Sequence, residues 1–235
     1  MPLPSPILVS TVILFIIIVL LFTRPRRFYF VRHGETLLNA AHVRQGEGGG
    51  LSPKGQEQVR RVGEALQGLH IHHMISSTYE RARETALIVN TYLKASITYS
   101  PLFVERKNPK EIIGKSINDP AVMHIVDQMD LAVHDDDFRI SDEENFLDLR
   151  ERAHKCLDML ARRTSLQTVV VTHHHFLKML IAYLLYRDRL HAGDFVKLSF
   201  FNASDNAGIT VCDYHPWKRF SETRGWEIVS YNEQP

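Results

Sequence analysis

The chain has 235 residues, of which 44% are hydrophobic, enough for one sizeable core but too few for a second full domain. The formal net charge of +1 excludes a general electrostatic attraction to nucleic acid, so we expect no nucleic-acid partner. Two cysteines, Cys156 and Cys212, exclude a disulfide-rich scaffold.

The first 23 residues predict a membrane anchor. They contain no charged side chain, and residues 7–22 are almost wholly aliphatic. At about 1.5 Å per residue, ~21 helical residues span roughly 30 Å, which is the thickness of the hydrocarbon core of a bilayer. We therefore expect one transmembrane helix that contacts the lipid bilayer through residues 3–23. The alternative is a segment that is buried or cleaved.

Three arginines follow the apolar segment and predict its orientation. Arg24, Arg26 and Arg27 come directly after it, and positive charges flanking a membrane span favour the cytoplasmic side. The predicted organisation is an anchor over residues 1–23 and one folded domain over residues 24–235. This implies a single-pass membrane protein whose C-terminal domain is cytoplasmic.

Strand and helix patterns alternate through the first half of this domain. Residues 28–31 are an aromatic and β-branched run typical of a buried strand, and the glycines of 46–50 indicate a loop. Ser52 and Pro53 predict a helix start, with serine as N-cap and proline at the first helical position. Residues 74–75 are a second strand candidate, and a helix is predicted from about Tyr79.

The alternation continues in the second half. Residues 100–140 are less regular, after which Ser141 and Glu144 form a capping-box pattern that predicts a helix start. A helix is also predicted over 176–186. Further strands are predicted over residues 168–172, 195–201, 209–214 and 226–230. Strands that alternate with helices indicate an α/β fold in which helices cover both faces of the sheet.

Charged and polar side chains stand at or just beyond the ends of the predicted strands. They are Arg32, His33, Arg81, Glu105 and His173. Ligands of open α/β sheets gather at the carboxyl ends of the strands. There, two arginines can hold phosphate oxygens, a neutral imidazole can attack phosphorus, and a second histidine can donate to the equatorial oxygens. A carboxylic acid can protonate the leaving oxygen.

Four motifs carry a family resemblance. They are VRHGET at 31–36, LSPKGQEQ at 51–58, SSTYERARETA at 76–86 and VVVTHHHF at 169–176. In this order they resemble the histidine phosphatase superfamily, also called the phosphoglycerate mutase-like family, over roughly residues 28–200. The resemblance implies a three-layer α/β/α sandwich with a mostly parallel sheet, here preceded by the predicted N-terminal transmembrane helix.

The resemblance also implies roles for individual residues. His33 corresponds to the histidine that becomes phosphorylated, Glu105 to the proton donor, and His173 to a second histidine of the pocket. Arg32 and Arg81 correspond to the arginines that bind the phosphate. All five are therefore predicted catalytic residues, and the arginines and His173 also bind substrate.

Further predicted substrate-binding residues line the mouth of the pocket. Asn39, Gln45 and Gly46 resemble the family's segment there. A glycine usually follows the second histidine in relatives, but here His174 follows, so the register among residues 173–175 stays open. We expect no cofactor and no metal site, because arginines stabilise the charge and neighbouring residues on a strand point to opposite faces.

These features predict a metal-independent phosphomonoester hydrolase of the histidine acid-phosphatase type, anchored in a membrane. It would form a phosphohistidine at His33 and act on a phosphorylated small molecule. The alternatives are a phosphoglycerate mutase-type phosphotransferase and a membrane-tethered protein that binds a phospho-ligand without turnover. The acidic stretch 127–144 indicates either a solvated surface or a lid near the pocket.

Overall fold

A computed structural model describes residues 7, 10–15, 23–132, 134–201 and 204–235. Within these residues one sheet contains the strands β1 Arg26–Arg32, β2 His73–Ser76, β3 Ser96–Tyr99, β4 Gln167–Thr172, β5 Ile209–Tyr214 and β6 Trp226–Glu233. Their spatial order is β3-β2-β4-β1-β5-β6. The pairs β1–β4, β2–β3 and β2–β4 are parallel, whereas β5 is antiparallel to both β1 and β6. The sheet is therefore mixed.

Helices connect the strands and cover both faces of the sheet. The described α-helices are α1 Leu37–Ala40, α2 Pro53–Leu66, α3 Glu80–Leu93, α4 Pro120–Leu131, α5 Phe146–Ala161, α6 His174–Tyr186 and α7 Ala192–Phe201. Short 3₁₀ turns lie at Pro101–Phe103, Arg187–Arg189 and Pro216–Lys218. Apolar side chains of α2 and α3 fill one face, and those of α5 and α6 fill the other. The result is a helix–sheet–helix arrangement around two core layers.

Strand β1 lies in the middle of the sheet and is buried on both sides. Phe28 and Phe30 belong to the core layer under α5 and α6, whereas Tyr29 and Val31 belong to the layer under α2 and α3. A strand covered on both faces reads as a continuous apolar run because each face needs apolar side chains. This explains why the run ends abruptly in polar residues where β1 leaves the core.

Two predicted helix starts have different outcomes. The start of α2 is confirmed, because Ser52 accepts a hydrogen bond from the backbone N–H of Gly55 and Pro53 follows it. The predicted start at Ser141 is wrong. Helix α5 begins at Phe146, where Asn145 and Asp148 form the capping box. Ser141 instead has a φ of 53°, which does not fit an N-cap.

One predicted strand is also wrong. Residues 195–201 belong to helix α7. A short run of apolar and β-branched residues does not distinguish a strand from a buried helix by periodicity alone. The irregular reading of residues 100–140 missed helix α4, whose N-cap Asp119 accepts a hydrogen bond from the backbone N–H of Ala121.

The fold prediction requires a correction at its N-terminus. In the part of the chain that the structure describes, no helix has the length and apolar character needed to cross a membrane. The prediction of a transmembrane helix over residues 1–23 is therefore corrected: the described part of the chain contains no such helix, and no bilayer contact through residues 3–23 is shown. Most of that segment lies outside the described residues. The cytoplasmic location of the catalytic domain stays a prediction.

Candidate active site

The predicted site residues come together where parallel strands end. Arg32 at the end of β1 pairs with Thr172 at the end of β4, and the end of β2 lies beside β4. The residues that follow β1 and β4 therefore become neighbours despite their separation in sequence. The imidazole rings of His33 and His173 have their centroids 5.0 Å apart.

His33 is held in one orientation and one tautomer. Its Nδ1 lies 2.8 Å from the carbonyl oxygen of Gly34, so Nδ1 carries the proton and donates it to this acceptor. Its Nε2 accepts a hydrogen bond from Nε of Arg81 at 3.2 Å. Burial, His173 and Arg81 hold the pKa of His33 well below its usual range, so the ring is neutral. Nε2 thus carries the lone pair that a nucleophile needs.

Arg32 and Arg81 supply positive charge next to this ring. Nη1 of Arg81 donates to the carbonyl oxygen of Gly46 at 2.8 Å, and Nη1 of Arg32 donates to the carbonyl oxygen of Ser204. Among the described atoms, Nε of Arg32 is buried without a hydrogen-bond partner. Burial lowers the pKa of both side chains, but a guanidinium remains charged at neutral pH. Both can bind an anion above His33.

The three consecutive histidines after β4 have different environments. His173 is fully buried, and its Nε2 lies 2.7 Å from the hydroxyl oxygen of Ser77. Its Nδ1 has no hydrogen-bond partner among the described residues. His174 and His175 line the open cleft instead. Burial lowers the pKa of His174 to about 3 and that of His175 to about 4, so both rings are neutral at pH 7.

Glu105 sits at the N-terminus of helix α6. Its carboxylate accepts backbone N–H groups from His175 at 3.2 Å and from Phe176 at 3.0 Å, and a third from Arg106 at 2.9 Å. Burial alone would raise its pKa, but the neighbouring histidines 175 and 173, the Arg106 N–H and Arg81 outweigh burial and bring the pKa to about 2. Glu105 is therefore a carboxylate, and the positive end of the helix dipole favours that charge.

The other carboxylates close to the motifs form hydrogen bonds or ion pairs outside the cleft. Glu80 accepts the backbone N–H of Gly49, and Glu84 accepts that of Leu51, so both hold the glycine loop against helix α3. Glu35 binds the hydroxyl of Ser52 and forms an ion pair with Lys54 at 2.9 Å. Among these candidates for a proton donor, the structure brings Glu105 into the cleft.

A cleft of about 500 Å³ opens over these groups. The predicted site residues that line it are Arg32, His33, Asn39, Gln45, Arg81 and Glu105. Gly46 and His173 are not among the described lining residues. Arg44 also lines the cleft, so three arginines face one carboxylate there. This net positive charge suits a phosphate dianion.

The predicted mouth residues are held by their own contacts. The Nε2 of Gln45 donates to the hydroxyl of Thr36 at 2.6 Å, while its Oε1 is buried without a partner among the described residues. Asn39 completes the cap of α1 with Thr36. The carbonyl oxygen of Gly46 accepts from Arg81 and so fixes that guanidinium.

Sequence reasoning missed several contributors. Asn206 donates from Nδ2 to the carbonyl oxygen of His33 at 3.1 Å, and the carbonyl oxygen of Ser204 accepts from both Arg32 and His174. Neither residue belongs to a motif, and both enter the site through chain topology. The hydroxyl of Ser77 could have been proposed, because it directly follows β2 in the SSTYERARETA motif.

A family model described as histidine phosphatase superfamily (branch 1) matches residues 28–232. The chain belongs to this superfamily. The resemblance inferred from the four motifs is therefore confirmed, and the match extends beyond the range that the motifs covered. The matched range includes His33, most of strand β1 before it, and all of strand β6 except its last residue.

Curated relatives of this histidine phosphatase superfamily member match only part of their length. A protein of Erwinia tasmaniensis named "Probable phosphoglycerate mutase GpmB" is 42% identical over 74 residues, which are 31% of this chain and 34% of the relative. A protein of Salmonella arizonae with the same name is 34% identical over 131 residues, 55% of this chain and 60% of the relative. The matches thus cover less than two thirds of these relatives.

Solved structures share the fold. The alpha-ribazole phosphatase from Shigella flexneri superposes with a TM-score of 0.72 at 19% identity, over 88% of this chain and 96% of that one. At this level of identity the likeness establishes the architecture and leaves the substrate to be argued from the site.

Proposed function

We propose that the protein is a phosphomonoester hydrolase that works through a phosphohistidine on Nε2 of His33. The observation that carries the proposal is the state of that ring: it is neutral, its Nδ1 donates to Gly34, and its Nε2 faces Arg81. Arg32 and the other positive charges that line the cleft can bind the phosphate oxygens. Family membership and relatives named as phosphatases and mutases support the same chemistry.

In the first step, Nε2 of His33 attacks phosphorus as the bond to the leaving oxygen breaks. The bound phosphate displaces the hydrogen bond that Arg81 makes to Nε2, and the guanidinium turns its donors to the equatorial oxygens. Glu105 protonates the leaving oxygen. Its carboxylate takes up that proton when the phosphate dianion binds, because a like charge nearby raises the pKa of a carboxyl group.

In the second step, water attacks the phosphohistidine. Glu105, now a carboxylate again, accepts a proton from the water as its oxygen bonds to phosphorus and the N–P bond breaks. Inorganic phosphate leaves and His33 returns to its neutral form. In this mechanism the arginines stabilise the charge of the transferring group, so we propose that hydrolysis needs no metal ion.

A mutase is the second candidate, favoured by the names of the curated relatives. It shares the first step but returns the phosphoryl group to the product. The two differ in a measurable way: a hydrolase releases one phosphate per ester consumed, whereas a mutase interconverts 2- and 3-phosphoglycerate without net release.

The test compares the wild type with His33→Ala. Phosphate release from p-nitrophenyl phosphate, measured without added metal and with chelator, is expected to fall at least about 10⁴-fold in the variant, because the nucleophile is lost. Rapid quenching with ³²P-labelled substrate should trap an acid-labile phosphoenzyme in the wild type alone. The matched control is His70→Ala, an exposed histidine before β2. Tight phosphate binding with neither label nor turnover would overturn the proposal in favour of a binding protein.

A further inference from the structure

A second cavity adjoins the active-site cleft. It has a volume of about 170 Å³ and lies between α4, the loop that follows it, and the start of α5 and α7. Its apolar walls come from Val126, Met129, Phe138, Phe146, Phe195 and Val196. None of these residues has a role in the phosphoryl-transfer steps above.

The cavity shares part of its wall with the catalytic cleft. Arg44, Asn108 and His175 line both spaces. The backbone N–H of His175 also donates to Glu105, the group that would meet the leaving oxygen. A leaving group that extends from phosphorus past Glu105 therefore reaches the apolar walls next.

The acidic groups that line this cavity are either paired or exposed to solvent. Glu143 is buried, but its carboxylate pairs with Arg106 at 2.6 Å and accepts the backbone N–H of Ile140 at 2.8 Å. Asp130 and Asp135 are solvent-exposed. Phe146 and Phe195 pack with ring centroids 6.2 Å apart and form part of the apolar wall. Such a space gains free energy from an apolar occupant.

We propose that this cavity is the leaving-group subsite, and that the substrate class is a phosphomonoester whose alcohol carries an apolar group about as large as a benzene ring. The inference rests on the proposed phosphatase function. Its size argument is direct, because an apolar protein cavity of about 150 Å³ holds benzene. Arg44, at the junction of the two spaces, faces the polar part of the ester between phosphorus and the apolar group.

The first test is a series of alkyl esters with similar leaving-group acidity: ethyl, butyl and 2-phenylethyl phosphate. We expect kcat/KM to rise along the series, by roughly 10- to 100-fold from ethyl to 2-phenylethyl, as expected for burial of a phenyl-sized group. Dissociation constants of ethylphosphonate and 2-phenylethylphosphonate, measured by calorimetry, should show the same preference without turnover.

The second test alters the cavity. Met129→Glu places a charge in the apolar wall, and Val126→Phe fills part of the space without a charge. Each is expected to lower kcat/KM for 2-phenylethyl phosphate at least about 10-fold and to leave ethyl phosphate within about twofold. Met123→Glu, on the same helix but 52% exposed and outside the cavity lining, is the matched control and should change neither ester.

The outcomes separate the two proposals. If no ester is hydrolysed, the proposed function fails, and the phosphonate dissociation constants alone decide the subsite. Equal kcat/KM and equal dissociation constants along the series overturn the subsite while the hydrolase stands. Equal losses on both esters in Met129→Glu and Val126→Phe, in variants with wild-type urea unfolding, likewise overturn it, because the cavity would then not distinguish the two leaving groups.

Discussion

In the proposed mechanism Glu105 has two functions, which require opposite protonation states of its carboxyl group. As the acceptor of two backbone N–H groups of helix α6 it is stabilised as a carboxylate, with a pKa of about 2. As proton donor it must be protonated when the leaving oxygen departs. Bound phosphate resolves the conflict, because its negative charge beside the carboxylate favours the neutral acid. In this mechanism, binding of the substrate itself causes Glu105 to become protonated.

Glu105→Gln tests this role. The amide keeps the shape of the side chain but cannot donate an acidic proton, so kcat/KM for ethyl phosphate is expected to fall about 10²- to 10⁴-fold. The loss for p-nitrophenyl phosphate should be much smaller, because nitrophenolate leaves without protonation. Steady-state assays of wild type and variant with both esters measure the two losses in kcat/KM, which can then be compared.

A suitable control is Glu84→Gln, which weakens the contact to the backbone of Leu51 but removes no group from the cleft. It should affect both esters alike. If Glu105→Gln also lowers both rates equally, Glu105 only holds helix α6 in place, and another group donates the proton.

At the scale of elements, one arginine ties the loop that carries Glu105 to helix α5. Arg152 makes two hydrogen bonds of 2.6 Å with Glu144 and donates to the carbonyl oxygens of Leu102 and Val104. Both partners of the ion pair are largely buried, with 12% and 15% of their side chains exposed. This clamp fixes the backbone immediately before Glu105.

Arg152→Met should therefore lower both stability and activity. Removing one partner of a largely buried pair leaves Glu144 without its counter-charge, which costs about 3 kcal/mol of unfolding free energy. Urea unfolding measures this loss. Arg60→Met breaks an exposed pair with Glu57 and should cost less than about 1 kcal/mol. A cost for Arg152→Met no larger than for Arg60→Met would refute the clamp.

Elements with a strong local signal were predictable, and elements defined by their partners were not. The dipeptide Ser52-Pro53 predicts the start of α2 without reference to the rest of the fold. The serine side chain accepts a free backbone N–H of the first turn, and proline fits the first helical position, so no tertiary contact is needed. Helix α7 is apolar on more than one side, and its type depends on what it packs against. The site follows the same rule: His33 and Arg81 sit in local motifs, whereas Asn206 reaches His33 only through β-sheet topology.

At the scale of the whole molecule, the fold places four neutral histidines at one edge of the sheet. Burial is the largest cause that holds the pKa of His33 and His173 well below 6.5, and it lowers those of His174 and His175 to about 3 and about 4. In the unfolded chain these rings would take up protons near pH 6.5. The family motif made the position of this group predictable, but its protonation depends on the closed fold.

The free energy of unfolding is therefore expected to decrease as the pH is lowered through a defined window. The folded protein binds fewer protons than the unfolded chain between about pH 6.5 and pH 4, so unfolding becomes easier as pH decreases through this range. The free energy of unfolding is highest above pH 6.5, where these histidines are neutral in both states. It decreases as the pH is lowered toward the folded-state pKa of each histidine. For His175, a pKa of about 4 corresponds to about 2 kcal/mol between pH 7.5 and pH 5.

His175→Gln isolates this contribution. Unfolding free energies from urea titrations at pH 7.5 and 5.0 should differ by about 2 kcal/mol less in the variant than in the wild type, because glutamine does not titrate. His124→Gln, at an exposed position of α4, serves as the control and should leave the pH dependence unchanged. An unaltered difference in His175→Gln would mean that the folded protein does not lower the pKa of this ring, and Glu105 would then face a histidine that becomes positively charged below about pH 6.5.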